Sequence, residues 1–180
     1  MDFESASKYK KQIKKLYRTA FPANERAPLF MLHSKTKHSN NSFCAITDNN
    51  EFVGLVYTIS NEKWIYVFFL AVEESMRGKG YGTSILKHIQ DTNPGKTVAL
   101  MIEDTSDKTV SYYEERVQRL KFYQNNGFKQ LSISINEAGV DYELLGTNTN
   151  VTQQDFLNLM RGFLGSKLLH KYLYRKMNIQ

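Results

Sequence analysis

Three glycines alternate with charged and aromatic residues in the stretch RGKGYG, residues 77–82. The stretch follows an apolar run, WIYVFFLAV (64–72), and precedes the helical pattern SILKHI (84–89). A turn that opens a helix points several backbone N–H groups at one spot, with the positive end of the helix dipole behind them. Glycine lets the backbone approach an anion without a Cβ in the way. Because Arg77 and Lys79 add positive charge, the stretch predicts a phosphate-binding turn.

Two nucleotide-binding motifs fit this stretch less well. A nucleoside-triphosphate loop needs Gly, four residues and then Gly-Lys-Ser/Thr, but the tripeptide GKT at 95–97 has Gln90 at the first glycine position and opens a strand. A dinucleotide fold needs G-x-G-x-x-G directly after a strand, whereas these glycines follow G-x-G-x-G spacing. Glu103, at the end of the next predicted strand, could bind a ribose, so a dinucleotide-binding domain remains the weaker alternative.

The longer segment LAVEESMRGKGYG resembles the acetyl-CoA motif of the GNAT superfamily of acyl-CoA N-acetyltransferases. The family pattern is Arg/Gln-x-x-Gly-x-Gly/Ala, which Arg77, Gly80 and Gly82 match in full. The resemblance implies acetyl-CoA as co-substrate, with its pyrophosphate against the glycine turn. The cofactor-binding residues that it implies there are Arg77, Gly78, Lys79, Gly80, Tyr81, Gly82 and Thr83.

A second segment, RLKFYQNNGF (119–128), resembles the family helix that carries an aromatic-Tyr pair and ends at Gly-Phe. The resemblance implies that Tyr123 lies near the sulfur and can protonate the leaving thiolate, although an amphipathic helix could equally hold it as a core aromatic. It also implies that the backbone of Leu70, Ala71 and Val72 pairs with the pantetheine arm. Acetyl transfer would be direct, in a ternary complex.

The elements that position these motifs are predicted in the order of two helices, three strands, a helix, a strand, a helix, two strands and a helical extension. Helical spacing predicts helices over 5–21, 81–92, 112–124 and beyond Thr152, and a short one over 29–33. Strands are predicted over 42–48, 51–59, 63–72, 96–104, 129–135 and 140–146. The fold class is mixed α/β: a largely antiparallel sheet with one crossover, similar to the GNAT fold, in a domain over 1–150 followed by a helical extension over 151–180.

The chain departs from the family pattern in three places. Only MDF precedes the first helix, so the usual first strand is missing or very short. Arg116 stands seven residues before Tyr123, where many members have Asn. Residues 64–72 contain no acid or histidine, so a general base must come from elsewhere. The candidates are Glu103, which would serve as base or amine anchor, and Glu25 in the loop ANERAP; both could also be ordinary surface carboxylates.

Other polar and aromatic residues carry weaker interpretations. Tyr57, Tyr66 and Tyr142 would line the acceptor pocket or belong to the core. Arg119 and Lys121 are expected on a solvated helix face. The four histidines have no metal-ligand spacing, so no metal site is predicted.

The composition sets bounds on these interpretations. The chain has 180 residues, 41% hydrophobic and 23% charged, with a net charge of +6 and a mean hydropathy of −0.48. No apolar run reaches the roughly 20 residues of a membrane span, and no signal peptide is readable. Cys44 is the only cysteine, which is compatible with the cytoplasm. No nucleic-acid or membrane partner is expected, while packing of the 151–180 extension on a partner subunit would give a homodimer.

Together these observations predict an acyl-CoA-dependent N-acetyltransferase that acts on a primary amine of a small molecule or peptide. The alternative is a module that binds or senses CoA without transferring anything, which the absence of a base on the central strand favours slightly.

Overall fold

The computed structural model describes residues 1–37, 40–110, 112–137 and 140–165. The chain divides into two compact units, Met1–Pro94 and a second that begins at Gly95. The described residues form seven strands and five α-helices, so the predicted mixed α/β class is confirmed. None of the described helices combines the length and the apolar character that crossing a membrane requires.

The first unit is an antiparallel four-stranded arrangement with helices. Its strands follow the order β1-β2-β3-β4. The elements are β1 (Asp2–Ser5), α1 (Lys10–Ala20), α2 (Leu29–Lys35), β2 (Asn41–Asp48), β3 (Glu51–Ser60), β4 (Trp64–Val72) and α3 (Tyr81–Asp91).

The hairpin between β2 and β3 turns at two asparagines. Asn49 and Asn50 have φ angles of 49° and 65°, the left-handed region that asparagine tolerates better than most residues. The predicted strands over 42–48 and 51–59 are thereby confirmed, and they form a hairpin. The family's first strand is present but short, since β1 pairs with β2 from Asp2↔Thr47 to Ser5↔Cys44.

Helix α1 supplies one side of the first unit's core. Ile13, Leu16 and Tyr17 are buried, and the helix packs on β3 and β4. Complete burial of an aliphatic side chain contributes about 1.5–3 kcal/mol, so this apolar stripe holds α1 in place while its lysines remain in water.

The second unit has three antiparallel strands in the order β5-β7-β6. Helix α4 packs on β5 and ends at Asn125. Gly127, two residues later, has a φ of 85°, the left-handed conformation that the NNGF segment predicts for a helix cap. The elements are β5 (Thr97–Glu103), α4 (Tyr113–Asn125), β6 (Lys129–Glu137), β7 (Val140–Gly146) and α5 (Gln153–Leu164).

Helix α5 begins with a capping box, in which the Thr152 hydroxyl accepts from the Asp155 amide and the Asp155 carboxylate accepts from the Thr152 amide. The helix ends at Leu164, before Gly165. Residues 166–180, half of the predicted extension, lie outside the described residues. The division at 150 and the homodimer therefore stay predictions. The side chains that α5 buries are Phe156, Leu159, Met160 and Phe163.

Candidate functional site

The phosphate-binding turn begins where β4 ends. A short 3₁₀ turn over Glu74–Met76 follows the strand and buries Met76. The Glu73 amide donates to the Val53 carbonyl at 2.8 Å, which continues the pairing of β3 with β4 by one residue. The strand end and the start of the turn are therefore fixed by backbone hydrogen bonds.

Arg77 folds back onto the strand that precedes it. Its Nε donates to the Val72 carbonyl at 3.3 Å, and the side chain is exposed. A guanidinium has five N–H donors, so its terminal nitrogens remain available for an anion. Lys79 is also exposed, with its Nζ 3.5 Å from the Met76 sulfur. Both cations predicted at the turn thus flank its backbone.

Gly78 and Gly80 both have positive φ angles, 74° and 83°, and a Cβ added to either would meet no atom within 4 Å. Gly80 is the N-cap of α3 and has no side-chain cap. Its carbonyl accepts from the Ser84 amide at 3.0 Å. The first N–H groups of an α-helix have no intrahelical acceptor, so the amides of Tyr81, Gly82 and Thr83 are aimed out of the helix end. This geometry suits a phosphate.

Tyr81 has a second, structural contact. Its hydroxyl donates to an Asp48 carboxylate oxygen at 2.9 Å. This hydrogen bond lowers the pKa of Asp48 and raises the pKa of Tyr81. The side chain therefore ties the start of α3 to the β2–β3 hairpin, while its backbone amide stays at the helix end.

The last residues of β4 pair on one edge with β3, in the register Leu70↔Val56, Ala71↔Leu55 and Val72↔Gly54. A Cβ on Gly54 would collide with the Ala71 carbonyl oxygen. Glycine at this position therefore permits the close approach of the two backbones. We did not single out Gly54 from the sequence, although a glycine inside a predicted strand is a known signal of such an approach.

Glu103 lies at the end of β5, as predicted, and is held by two arginines of α4. One carboxylate oxygen accepts from Arg116 Nη2 at 3.0 Å and the other from Arg119 Nη1 at 3.1 Å. Arg119 is exposed, as expected of a solvated helix face, and is in addition an ion-pair partner. The family's usual asparagine position thus holds a cation that binds the candidate carboxylate.

Tyr123 lies on α4 and is half-buried. Its ring makes edge contacts with Phe122 and Phe128, at centroid distances of 5.1 and 5.8 Å. Burial raises the pKa of the phenol, against a smaller opposing effect of the Arg119 charge. Within the described residues its hydroxyl has no hydrogen-bond partner.

The remaining candidates separate into loop and core positions. Glu25 is half-buried in the loop between α1 and α2, where its amide donates to the Pro22 carbonyl at 3.1 Å. Tyr57 and Tyr66 are buried core residues, 0% and 3% exposed, and Tyr142 is half-buried. No cluster of three or more metal-ligating side chains occurs in the described part of the chain.

Comparison with known families assigns the class. Residues 39–130, which are 92 of the 180, match the model of the acetyltransferase (GNAT) domain. The match includes both predicted motifs, the glycine turn and the helix of Tyr123. The chain belongs to the GNAT acetyltransferase family.

Solved structures share its fold. A protein from Bacteroides thetaiotaomicron described as a GNAT-family acetyltransferase is 19% identical, with a TM-score of 0.74 over 93% of this chain and 98% of that one. An aminoglycoside 6'-N-acetyltransferase solved with coenzyme A is 18% identical, with a TM-score of 0.62 over 85% and 99%. The ribosomal-protein-S18-alanine N-acetyltransferase from Escherichia coli is 14% identical, with a TM-score of 0.61 over 86% and 96%. No curated protein matches significantly.

These matches confirm the predicted family and fold. Acetyl-CoA as co-substrate is also confirmed at the level of the family, whose members transfer acetyl groups and of which one solved structure holds coenzyme A. The family therefore supports acetyltransferase activity in general terms, and the identity of the acceptor is a matter of proposal.

Proposed function

We propose that the protein transfers the acetyl group of acetyl-CoA to a primary amine of a small molecule or peptide, by direct attack in a ternary complex. The amine nitrogen forms a bond to the thioester carbonyl carbon, the carbon–sulfur bond breaks, and the amine proton passes to a base. The leaving thiolate takes a proton and departs as CoA.

The observation that carries this proposal is the glycine turn before α3. Two left-handed glycines, an uncapped helix end and two exposed cations converge on open space. Backbone N–H groups and a helix dipole stabilise a pyrophosphate without any side chain having to move. Arg77, bonded to the Val72 carbonyl, links this anion site to the strand end.

We propose that the backbone of Leu70, Ala71 and Val72 binds the pantetheine arm. Ala71 is buried and Leu70 and Val72 are half-buried, so their side chains serve packing and the proposed binding of pantetheine falls to their backbone groups. Hydrogen bonds along an extended arm align the thioester with the acceptor, which converts an encounter into an oriented reaction.

The ion pairs that Glu103 forms with two arginines indicate which of the two candidate carboxylates, Glu103 or Glu25, is better suited to accept the amine proton. Both oxygens of Glu103 already accept from guanidiniums, which favours a positioning role for Glu103, holding Arg116 and Arg119. Glu25, in the loop segment whose residues Ala23 and Arg26 line an open cleft, is the proposed base for the amine proton. General-base catalysis of this kind typically contributes about 10²–10⁴-fold.

Glu103→Gln tests this division of roles. If Glu103 positions the arginines, we expect a lower melting temperature, because a hydrogen bond to a charged group contributes about 1.5–3 kcal/mol. The acidic limb of the pH–rate profile should keep its midpoint. Glu62→Gln, at an exposed loop position, is the control. A displaced acidic limb at unchanged stability would instead identify Glu103 as the base.

A CoA-binding module without transferase activity is the second candidate. It is favoured by one observation: β4, Trp64–Val72, carries neither an acid nor a histidine. Such a module would bind CoA at the same glycine turn and release no thiol.

One experiment separates the two functions. Thiol release from acetyl-CoA is measured with a panel of amino acids, polyamines, aminoglycosides and N-terminal peptides, alongside the melting temperature with acetyl-CoA. We expect amine-dependent thiol release and a melting shift, since a ligand present at 100 times its Kd stabilises the folded state by about 2.7 kcal/mol. A melting shift without turnover on any amine would support the binding module, and the absence of both would reject the site.

A cytoplasmic location remains part of the proposal. It is supported by the single cysteine, Cys44, which has no partner within the chain for a disulfide.

A further inference from the structure

Residues 1–37 carry a large excess of positive charge. Residues 1–37 contain nine Lys and Arg against three Asp and Glu, a net charge of +6, which equals the net charge of the whole chain. The remaining 143 residues therefore sum to zero. The glycine turn takes no part in this excess, so the excess needs an explanation of its own.

Much of this charge lines two adjoining depressions in the first unit. An open cleft of about 800 Å³ is bounded by Lys14, Arg18 and Arg26. A second groove of about 740 Å³ adds Lys10 and Lys37 and shares Lys14 with the first. Neither is lined by a carboxylate.

None of these five cations forms an ion pair with another of the described residues. Lys10, Lys14 and Arg18 follow each other at i, i+4 spacing along α1, an arrangement that disfavours a helix through like-charge repulsion. The first turn of α1 contains no acid to offset them. Such a row is unfavourable for folding and favourable for binding an anion.

An aromatic cluster connects the first cleft to the strand that leads to the glycine turn. Tyr17, which lines the cleft, packs edge-on against Phe69 of β4 with ring centroids 5.0 Å apart. Phe21 packs on the same ring at 4.9 Å. Phe69 immediately precedes Leu70, so the cationic cleft lies beside the segment proposed to bind pantetheine.

We infer that the acceptor amine carries negative charge, as carboxylate or phosphate groups that bind in this cleft. The inference rests on the proposed transferase function and adds the chemical class of the acceptor. Guanidiniums bind carboxylates and phosphates through two parallel hydrogen bonds, so Arg18 and Arg26 supply geometry as well as charge. Glu25 in the adjacent loop is placed to attract the amine end.

The same charges work against polycationic acceptors. Some proteins of similar fold are named for aminoglycosides or spermidine, whose several ammonium groups would meet Lys14, Arg18 and Arg26 at close range. Like-charge juxtaposition opposes binding and thereby contributes to specificity. This chain should therefore discriminate against such amines.

The first test compares acceptors that share one reacting amine. Three peptides share their N-terminal residue, and the residues after it are acidic in the first peptide, neutral in the second and basic in the third. Aspartate, phosphoserine and spermidine serve as small acceptors. We expect kcat/KM at least tenfold higher for the acidic peptide than for the basic one, and a difference that shrinks as salt screens the charges. The comparison of aspartate with phosphoserine distinguishes recognition of a carboxylate from recognition of a phosphate. Equal or greater activity on spermidine and the basic peptide would overturn the inference.

The second test changes the cleft. Arg18→Gln/Arg26→Gln should raise KM for the acidic acceptor at least tenfold, with little change for the neutral one. Lys11→Gln/Lys15→Gln, on the same helix but lining neither depression, is the matched control. If the arginine variant weakens acetyl-CoA binding as strongly as acceptor binding, the cleft belongs to the co-substrate and the inference is wrong.

A readout without turnover separates this inference from the proposed function. Calorimetry measures binding of the acidic peptide with its N-terminal amine acetylated, in the presence of CoA. Binding that the arginine variant loses supports the cleft even where no acceptor is turned over, a result that would contradict only the transferase function. No binding to the unaltered protein would contradict the cleft itself.

Discussion

Gly80→Asp should abolish detectable acetyl-CoA binding, with a loss of affinity of at least about 100-fold. Gly80 is the N-cap of α3, and the space that its Cβ would enter is open. The new carboxylate would stand where we propose that the pyrophosphate binds. Two unit charges 4 Å apart repel by about 4 kcal/mol at an effective dielectric constant of about 20. Even about 2.8 kcal/mol of that is a factor of about 100 in Kd.

The folded state should tolerate this change. The φ of 83° at Gly80 is disfavoured for most side chains, but Asp and Asn visit this region more readily than others. Apart from the adjoining backbone, no protein atom lies within 4 Å of the added Cβ. We therefore expect the melting temperature without ligand to stay within a few degrees of the unaltered protein, so that lost binding cannot be ascribed to unfolding.

Gly80→Asn is the matched control, because it adds the same bulk without the charge. We expect it to weaken acetyl-CoA binding less than Gly80→Asp does, and the difference between the two variants measures the electrostatic part. Calorimetric titration gives both values of Kd. If Gly80→Asp binds acetyl-CoA as tightly as the unaltered protein, the turn does not hold the pyrophosphate.

The order of elements could be predicted well because each depends on local patterns. The Asn49-Asn50 turn, the apolar run of β4 and the Gly127 cap each depend on a few consecutive residues whose conformational preferences are strong. The strand β1 was harder to predict. It has four residues, and its pairing with β2 joins residues that are 39 to 45 positions apart, which no local pattern reveals.

The parts of the candidate site also differ in how far the sequence predicts them. The glycine turn is continuous in sequence, so its residue types alone indicated an anion site. The Glu103 ion pairs depend on which face of α4 meets the end of β5, a packing outcome that a helical pattern with many charged residues leaves open. The cationic cleft could be predicted from the sequence only in part. The row of Lys10, Lys14 and Arg18 follows from helical spacing, but the loop that brings Arg26 beside it does not.

Tyr123→Phe should lower kcat at least tenfold and leave the affinity for acetyl-CoA nearly unchanged. We propose that the Tyr123 phenol protonates the leaving CoA thiolate. Its unperturbed pKa is about 10, and burial raises it further, so the phenol keeps its proton throughout the neutral range. Its hydroxyl has no hydrogen-bond partner among the described residues, which leaves that proton available to a substrate.

The size of the effect follows from the chemistry of the leaving group. A thiolate that forms away from water lacks solvent to stabilise it, so a proton donor held in position is valuable. General acid catalysis typically contributes about 10²–10⁴-fold. A tenfold fall is the lower limit because a water molecule could occupy the space left by the hydroxyl and supply the proton in part.

The melting temperature distinguishes a catalytic role of Tyr123 from a packing role. Phe keeps the ring that contacts Phe122 and Phe128, and removing a hydroxyl that lacks a partner costs little or nothing in stability. We therefore expect an unchanged melting temperature together with the loss of kcat. Tyr113→Phe, a half-buried tyrosine at the start of the same helix, should change neither. Pre-steady-state measurement of thiol release separates the chemical step from product release, and full kcat in Tyr123→Phe would make this residue a core aromatic alone.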